Sequence, residues 1–230
     1  MSKNKSIVSR FNGKIQIQEI APLTQNQVRA FDAYNDGYNL LMHGVAGTGK
    51  TFCALYLALK EIFSGKSFYK KIVIVRSAVP TRTMGFLPGR LDEKLAEYEV
   101  PYKALMSEIC GSGGAYEVLK KHELIEFMST SYVRGITLTD CIVIVDEMNN
   151  LNFHELDSII TRVGQNCKII FCGDYRQTDF TKGIEKKGIH DFMDIIENLN
   201  SFECVEFDVD DIVRSDLVRE YLIEKYRQED

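Results

Sequence analysis

Apolar residues in this chain fall in short unbroken blocks, separated by longer stretches with helical spacing. The blocks are YNLLMH (38–43), KIVIVR (71–76), CIVIVDE (141–147) and KIIFCGD (168–174). They are short, rich in valine and isoleucine, and apolar at successive positions, as strands are when both faces of a parallel sheet are covered. A fifth block, FECVEF (202–207), alternates and reads as an edge strand. Helical patterns occupy 50–64, 90–109, 115–128, 153–163 and 214–227. Strands alternating with helices predict βαβ units and an α/β fold with a mostly parallel sheet, helices on both faces. FNGKIQIQEI (11–20) reads as a short strand outside the core, and GSGG (111–114) as a surface loop between two helices.

Length and composition narrow this picture. The 230 residues suit one large α/β domain, taken as residues 21–230, behind an N-terminal extension of residues 1–20. Hydrophobic residues make up 45% of the chain, enough for a packed core. The net charge of −5 excludes a globally basic protein, so any nucleic-acid surface must be a local patch. No apolar run is long enough for a membrane span, and MSKNKSIVSR lacks the apolar region of a secretory leader. A cytoplasmic protein is expected. The six cysteines show no CxxC spacing and the four histidines are scattered, which argues for reduced thiols and against a zinc site.

The chemistry begins at GVAGTGKT (44–51), which fits GxxxxGK[ST]. Such a loop lets backbone amides from Gly44, Val45, Ala46, Gly47, Thr48 and Gly49 converge on phosphate oxygens. Lys50 brings positive charge to the β- and γ-phosphates, and Thr51 offers a hydroxyl to Mg²⁺. The loop follows an apolar strand and opens a helix, which is the context the motif requires. IVIVDE (142–147) supplies the complementary acid. Asp146, at the end of its strand, is placed to hold Mg²⁺, and Glu147 to orient or deprotonate the attacking water. In FCGDYRQTD (171–179), Gly173 permits a tight exit and Gln177 can sense a γ-phosphate, or the stretch is a polar loop. In LTQNQ (23–27) a glutamine amide can read the edge of adenine.

Together these motifs resemble the PhoH-like P-loop ATPases, which are related to the RecA-like first lobe of superfamily 1 helicases. MGFLPGRLDEK (84–94) with Tyr98 and Pro101, RGITLTDCIVIVDEMNN (134–150), ITRVGQNCKIIFCGDYRQTD (160–179) and DDIVRSDLVREY (210–221) each resemble a family segment. The resemblance covers roughly residues 20–227 and implies a single RecA-like domain that binds and hydrolyses ATP. It assigns adenine reading to Gln27 and γ-phosphate sensing to Gln177. The chain departs from the family at Asn149, where DEMN replaces DEAQ, and at VPTRT before MGFLPG.

Superfamily 1 helicases close the ATP site with a second lobe that carries an arginine, worth about 10³ to 10⁵ in rate. This chain has no room for that lobe, so either hydrolysis is slow or another copy supplies the arginine across a head-to-tail interface. The resemblance implies a ring of six. Arg214 is the candidate finger, or else a helix-start residue bound to Asp210 or Asp211. Arg76, Arg134 and Arg162 compete with it. RNA or single-stranded DNA is the partner implied by resemblance. SGKSFYKK (64–71) with Phe68 and Tyr69, Lys182, Lys186, Lys187, Arg82 and Arg90 are candidate contacts or ordinary surface residues. The alternative is a nucleotide-dependent switch that acts on a protein partner. No separate carboxylate cluster supports a nuclease.

Overall fold

The computed structural model describes residues 15–77, 91–174 and 183–229; the side chains of 91–95, 183–186 and 229 lie outside that description. The strands are β1 (Asn39–Gly44), β2 (Lys71–Arg76), β3 (Ile125–Ser129), β4 (Cys141–Val145), β5 (Cys167–Gly173) and β6 (Phe202–Phe207). They form one sheet in the order β3-β2-β4-β5-β1-β6, and every pairing is parallel. The helices are α1 (Gln25–Asn35), α2 (Lys50–Phe63), α3 (Leu91–Cys110), α4 (Ala115–Lys121), α5 (Thr130–Val133), α6 (Phe153–Ile160), α7 (Gly183–Glu197) and α8 (Asp216–Glu229).

The unbroken apolar blocks follow from this layering. Successive strand residues point to opposite faces, and both faces are covered. Leu40, Met42, Ile72, Ile74, Ile142, Ile144 and Ile170 join one core with residues of α1, α2, α3 and α4. Their neighbours Leu41, Val73, Val75, Val143, Val145, Ile169 and Phe171 join a second core with residues of α6 and α7. Burying both faces leaves only the strand ends for polar chemistry. The register aligns those ends: Val75 pairs Val145, Val145 pairs Phe171, and His43 pairs Gly173. Arg76, Asp146, Asp174 and the loop after β1 therefore emerge on one rim.

Several boundaries differ from the sequence reading. The pattern at 115–128 is not one helix: α4 stops at Lys121 and β3 begins at Ile125. The turn between them uses Glu123 at φ 57 where a glycine would have flagged it. Helices α1 and α7 have no counterpart among the patterns read from sequence. α1 is capped by Thr24, whose side chain accepts from Gln27 N. α7 contains Gly188, where a Cβ would lie 3.1 Å from Phe153 Cβ, so a glycine that weakens the helical pattern serves close packing on α6. Residues 15–20 form no strand; Gln18 N donates to Ile109 O, and Ile15 is buried in the first core. β6 is an edge strand, as its alternation indicates. Among the described residues no helix is long and apolar enough to cross a membrane. The six cysteines are free thiols, with Cys141 and Cys167 in register and their Sγ atoms 3.3 Å apart.

Candidate functional site

The loop between β1 and α2 is shaped by three glycines in the left-handed region, at φ 110 for Gly44, 79 for Gly47 and 81 for Gly49. Any larger residue at Gly44 would place a Cβ 2.1 Å from Phe207 O, so β1 leaves the sheet hard against β6. Gly49 caps the N-terminus of α2. The loop thus delivers its amides and Lys50 to the start of a 14-residue helix, whose N-terminal partial charge favours anions. Lys50 is almost fully buried and its Nζ donates to Gly44 O at 2.8 Å, Val45 O at 2.7 Å and Thr48 Oγ1 at 3.3 Å. Burial holds its ammonium below the usual lysine range, opposed by the negative charge of Asp174 and, more weakly, by Cys172, Asp146 and Asp211. A cleft of about 730 Å³ opens above the loop.

Across the cleft stands the end of β4. Thr51 donates to Asp146 Oδ1 at 2.7 Å, and Tyr102 of α3 donates to Asp146 Oδ2 at 2.8 Å. Both carboxylate oxygens are thereby oriented. Burial pushes the Tyr102 phenol up, and the Asp146 charge pushes it further, so it remains a donor. Glu147 follows at φ 51, a strained conformation for glutamate. Its Oε1 pairs with Arg76 at the end of β2. Burial works against the charge on Arg76, but Tyr102, Glu147 and Asp146 more than offset it and hold the guanidinium above its ordinary value.

The third wall comes from β5. A Cβ at Gly173 would lie 2.7 Å from Met148 Cγ and 2.8 Å from Asn149 Oδ1. Gly173 therefore makes room for the turn after β4, and Asn149 Oδ1 accepts from Asp174 N at 3.1 Å. Asp174 Oδ2 in turn accepts from Tyr226 of α8 at 2.6 Å, and the same phenolic oxygen accepts from Ala46 N of the loop at 2.9 Å. The oxygen donors of Thr51 and Asp146 suit a hard cation such as Mg²⁺, which keeps one or two carboxylates and fills the rest of its shell with water and phosphate. Among the described residues there is no cluster of three or more metal-binding side chains, so the site has the donors for a phosphate-borne cation and not for a protein-caged one.

Comparison with known proteins places this arrangement. The family profile described as PhoH-like protein matches residues 19–226. The chain belongs to the PhoH-like family. It is 35% identical over 184 residues to a PhoH-like protein of Bacillus subtilis (strain 168), covering 80% of this chain and 56% of that protein. It is 30% identical over 181 residues to Protein PhoH of Escherichia coli (strain K12), covering 78% of this chain and 50% of that protein. This PhoH-like chain therefore spans about half the length of the curated relatives it matches. The large terminase of a thermophilic bacteriophage shares the fold at a TM-score of 0.51 and 11% identity, covering 87% of this chain and 50% of that one.

Within this PhoH-like domain the structure brings together Gly44, Val45, Ala46, Gly47, Thr48, Gly49, Lys50, Thr51, Asp146 and Glu147 around one cleft. Gln27 lies behind the loop, with its Nε2 donating to Thr48 O at 3.0 Å and its Oε1 accepting from Leu23 N at 2.8 Å. Both ends of the amide are used within the chain, so here Gln27 fastens the loop to the segment before α1. Gln27 itself, with Leu23, Phe31, Phe52 and Val213, lines an adjoining pocket of about 200 Å³ that shares Gly47, Gly49 and Arg214 with the cleft. Arg214 borders its own chain's cleft and packs on Gly47, where a Cβ would sit 3.1 Å from Arg214 Cγ. No second copy is needed to bring it to the loop. Asp210 lies 3.9 Å from Arg219, and Asp211 accepts from Asn26 at 2.7 Å.

Other sequence candidates fall elsewhere. Gln177, Lys182, Arg82 and Arg90, the residues of VPTRT and MGFLPG, and the side chain of Lys186 lie outside the described residues. Arg134, Arg162 and Lys187 are exposed. In SGKSFYKK, Phe68 is exposed, but Tyr69 packs against the first core. Lys70 and Lys71 are paired with Asp140 and Glu126. That stretch leads into the start of β2, the rim opposite the phosphate loop. Tyr102 and Tyr226 escape the sequence reading as parts of a site; Arg76 and Glu147 are each singled out there, but not as a pair. The family segment containing Tyr98 and Pro101 is the one signal that points toward α3.

Proposed function

We propose that this chain binds ATP with Mg²⁺ and hydrolyses it. We propose further that copies of the chain assemble in a ring, six by family resemblance, and that turnover drives remodelling of RNA or single-stranded DNA. One observation carries the hydrolytic reading: the Thr51 hydroxyl and the Asp146 carboxylate meet at 2.7 Å across a cleft floored by the phosphate loop. Bound Mg²⁺ would neutralise charge on the phosphates, held by Thr51 and Asp146.

The chain's own residues supply the remaining steps. Lys50 leaves its three internal oxygens for the phosphate oxygens, whose charge adds to that of Asp174, Asp146 and Asp211 in opposing the cost of its burial. Glu147 accepts a proton from water as the water oxygen bonds to the γ-phosphorus. The bond from that phosphorus to the β-bridging oxygen breaks, giving ADP and inorganic phosphate. Arg214, expected from sequence to act on a neighbouring copy, borders its own chain's cleft and would there offset charge on that chain's phosphates. The pocket lined by Gln27, Phe31 and Phe52 suits the apolar faces of a purine.

The test is ATP turnover with and without RNA, single-stranded DNA and duplex DNA, with Lys50→Ala and Glu147→Gln as controls. Turnover lost in both variants, and stimulated by one polymer, supports the full reading. Turnover that survives Lys50→Ala removes it. A second reading, an assembly module with a protein partner, is favoured by Leu217, Val218 and Tyr221, which lie exposed on α8. ATP-dependent oligomerisation without polymer stimulation would select it.

A further inference from the structure

We infer that Arg76 is a latch on Glu147, holding the proton acceptor out of service until the end of β2 or α3 moves. The inference rests on the hydrolytic reading above and concerns how that activity is restrained.

Arg76 lines the same cleft as the phosphate loop, but on the wall farthest from it. In the sheet order β2-β4-β5-β1, the phosphate loop follows β1 and Arg76 ends β2, three strands away. At about 4.8 Å per strand this is ~14 Å, with Glu147 between them. Lys50 and Arg214 face the nucleotide side of Glu147, and Arg76 holds it from the other side. A guanidinium placed there draws the carboxylate away from the position where water would be activated.

Both oxygens of Glu147 are engaged. Oε1 carries the Arg76 ion pair, and Oε2 accepts weakly from Asn150 Nδ2 at 3.4 Å. These two contacts leave lone pairs on the carboxylate but fix which way it faces, so it turns toward a bound water only when the Arg76 bond opens. The two partners are not equally free: the Arg76 side chain is 18% exposed and that of Glu147 44%. Arg76 is also walled in by α3, with the Tyr98 ring centre 5.9 Å from its Cζ. Tyr102, also on α3, bonds to Asp146 next to Glu147. α3 contains Pro101 between these two tyrosines, a residue that removes a helix hydrogen bond and makes bending there easier. A partner that shifts the first half of α3 would move the wall that fixes Arg76. Arg76 acts through Glu147 and is a positioning residue.

The experiment measures polymer-free ATP turnover by the full chain, its Arg76→Ala and Arg76→Lys variants, and Glu147→Gln. Binding of a fluorescent ATP analogue with Mg²⁺ reports on folding. A partly exposed ion pair is of modest strength, so Arg76→Ala should raise kcat about fivefold. KM should stay within about twofold, because the contact is made without nucleotide. Arg76→Lys should fall back toward the parent rate, because it keeps the charge. Turnover unchanged or lowered in Arg76→Ala, with binding intact, overturns the latch. If Arg76→Ala does not fold, Arg76→Gln keeps polar bulk without charge and must show the same rise. If parent and variants bind ATP and none hydrolyses it, the hydrolytic reading fails and the latch with it. If only the parent is silent, the latch is supported in its strongest form.

Discussion

Tyr226 donates its phenolic hydrogen to Asp174 Oδ2 at 2.6 Å, joining the last helix to the end of β5. The same oxygen receives the Ala46 amide, so one buried hydroxyl ties α8 to the phosphate loop and to the acid after Gly173. Tyr226→Phe keeps the ring packed with Val45 and Ile212 but removes both bonds and takes a donor from a buried carboxylate. Each unsatisfied buried group costs about 1–3 kcal/mol. Urea unfolding should show a midpoint lowered accordingly with an unchanged slope. Leu217→Ala on the exposed side of the same helix should leave the midpoint close to the parent value. Equal loss in both variants would mean that helix docking, not the hydroxyl, is what matters.

Lys50 should matter differently to the ligand-free and the ligand-bound protein. Burial is the largest influence on its ammonium and lowers its pKa from the ordinary 10.5. The charged form is therefore disfavoured in the ligand-free fold, and Lys50→Met should not reduce ligand-free stability. It should abolish the rise in Tm that ATP and Mg²⁺ give the parent protein. The sign of the pH dependence follows from linkage. Just below pH 10.5 the unfolded lysine keeps its proton and the folded one sheds it, so the unfolded state binds more protons. Stability of the parent should rise relative to Lys50→Met as pH increases through that window. A constant gap between the two chains would show that Lys50 is not perturbed.

The parts of the site legible in the sequence are those a local segment builds alone. GVAGTGKT needs only its own glycines to turn, and IVIVDE needs only a strand that ends, so both can be read without a fold. The doubly covered sheet is legible for a similar reason, because burial on both faces writes itself as unbroken Val and Ile. What stays hidden depends on distance or on substitution of the usual signal. Tyr226 lies 180 residues from Ala46, and only the parallel order of β5, β1 and β6 brings them together. β3 reads as helix because Glu123, not glycine, makes its turn. Gly173 reads as a residue that permits a sharp exit, yet it is absent from the residues with positive φ; it is small because Asn149 needs the space.

That last contact is testable by coupling. Gly173→Ala would push a methyl into Asn149 Oδ1 and Met148, a small-to-large change that costs about 1–3 kcal/mol in packed surroundings. Asn149→Ala removes the acceptor for Asp174 N. If the two residues meet as described, the double variant should lose less stability than the sum of the single losses, by at least about 0.5 kcal/mol. Denaturant titration of the four chains measures this, and simple additivity would mean that the added methyl is absorbed elsewhere.

Asp146 is held at both oxygens, by Thr51 on one side and Tyr102 on the other, and the two partners should fail differently. Thr51 is proposed to share the cation directly, and Tyr102 only to aim the carboxylate. Groups that orient a metal ligand typically cost about 10- to 100-fold in metal affinity when removed. Tyr102→Phe should therefore raise the Mg²⁺ concentration needed for half-maximal ATP-analogue fluorescence by about tenfold, while the plateau is still reached. Asp146→Asn should remove the Mg²⁺ dependence altogether. Thr51→Ser keeps the hydroxyl and should titrate like the parent; Thr51→Val, of similar shape without it, should not. The reading of this acid as the cation's protein ligand depends on that contrast: if Asp146→Asn responds to Mg²⁺ as the parent does, the 2.7 Å contact only staples α2 to β4, and the cation is held by the phosphates alone.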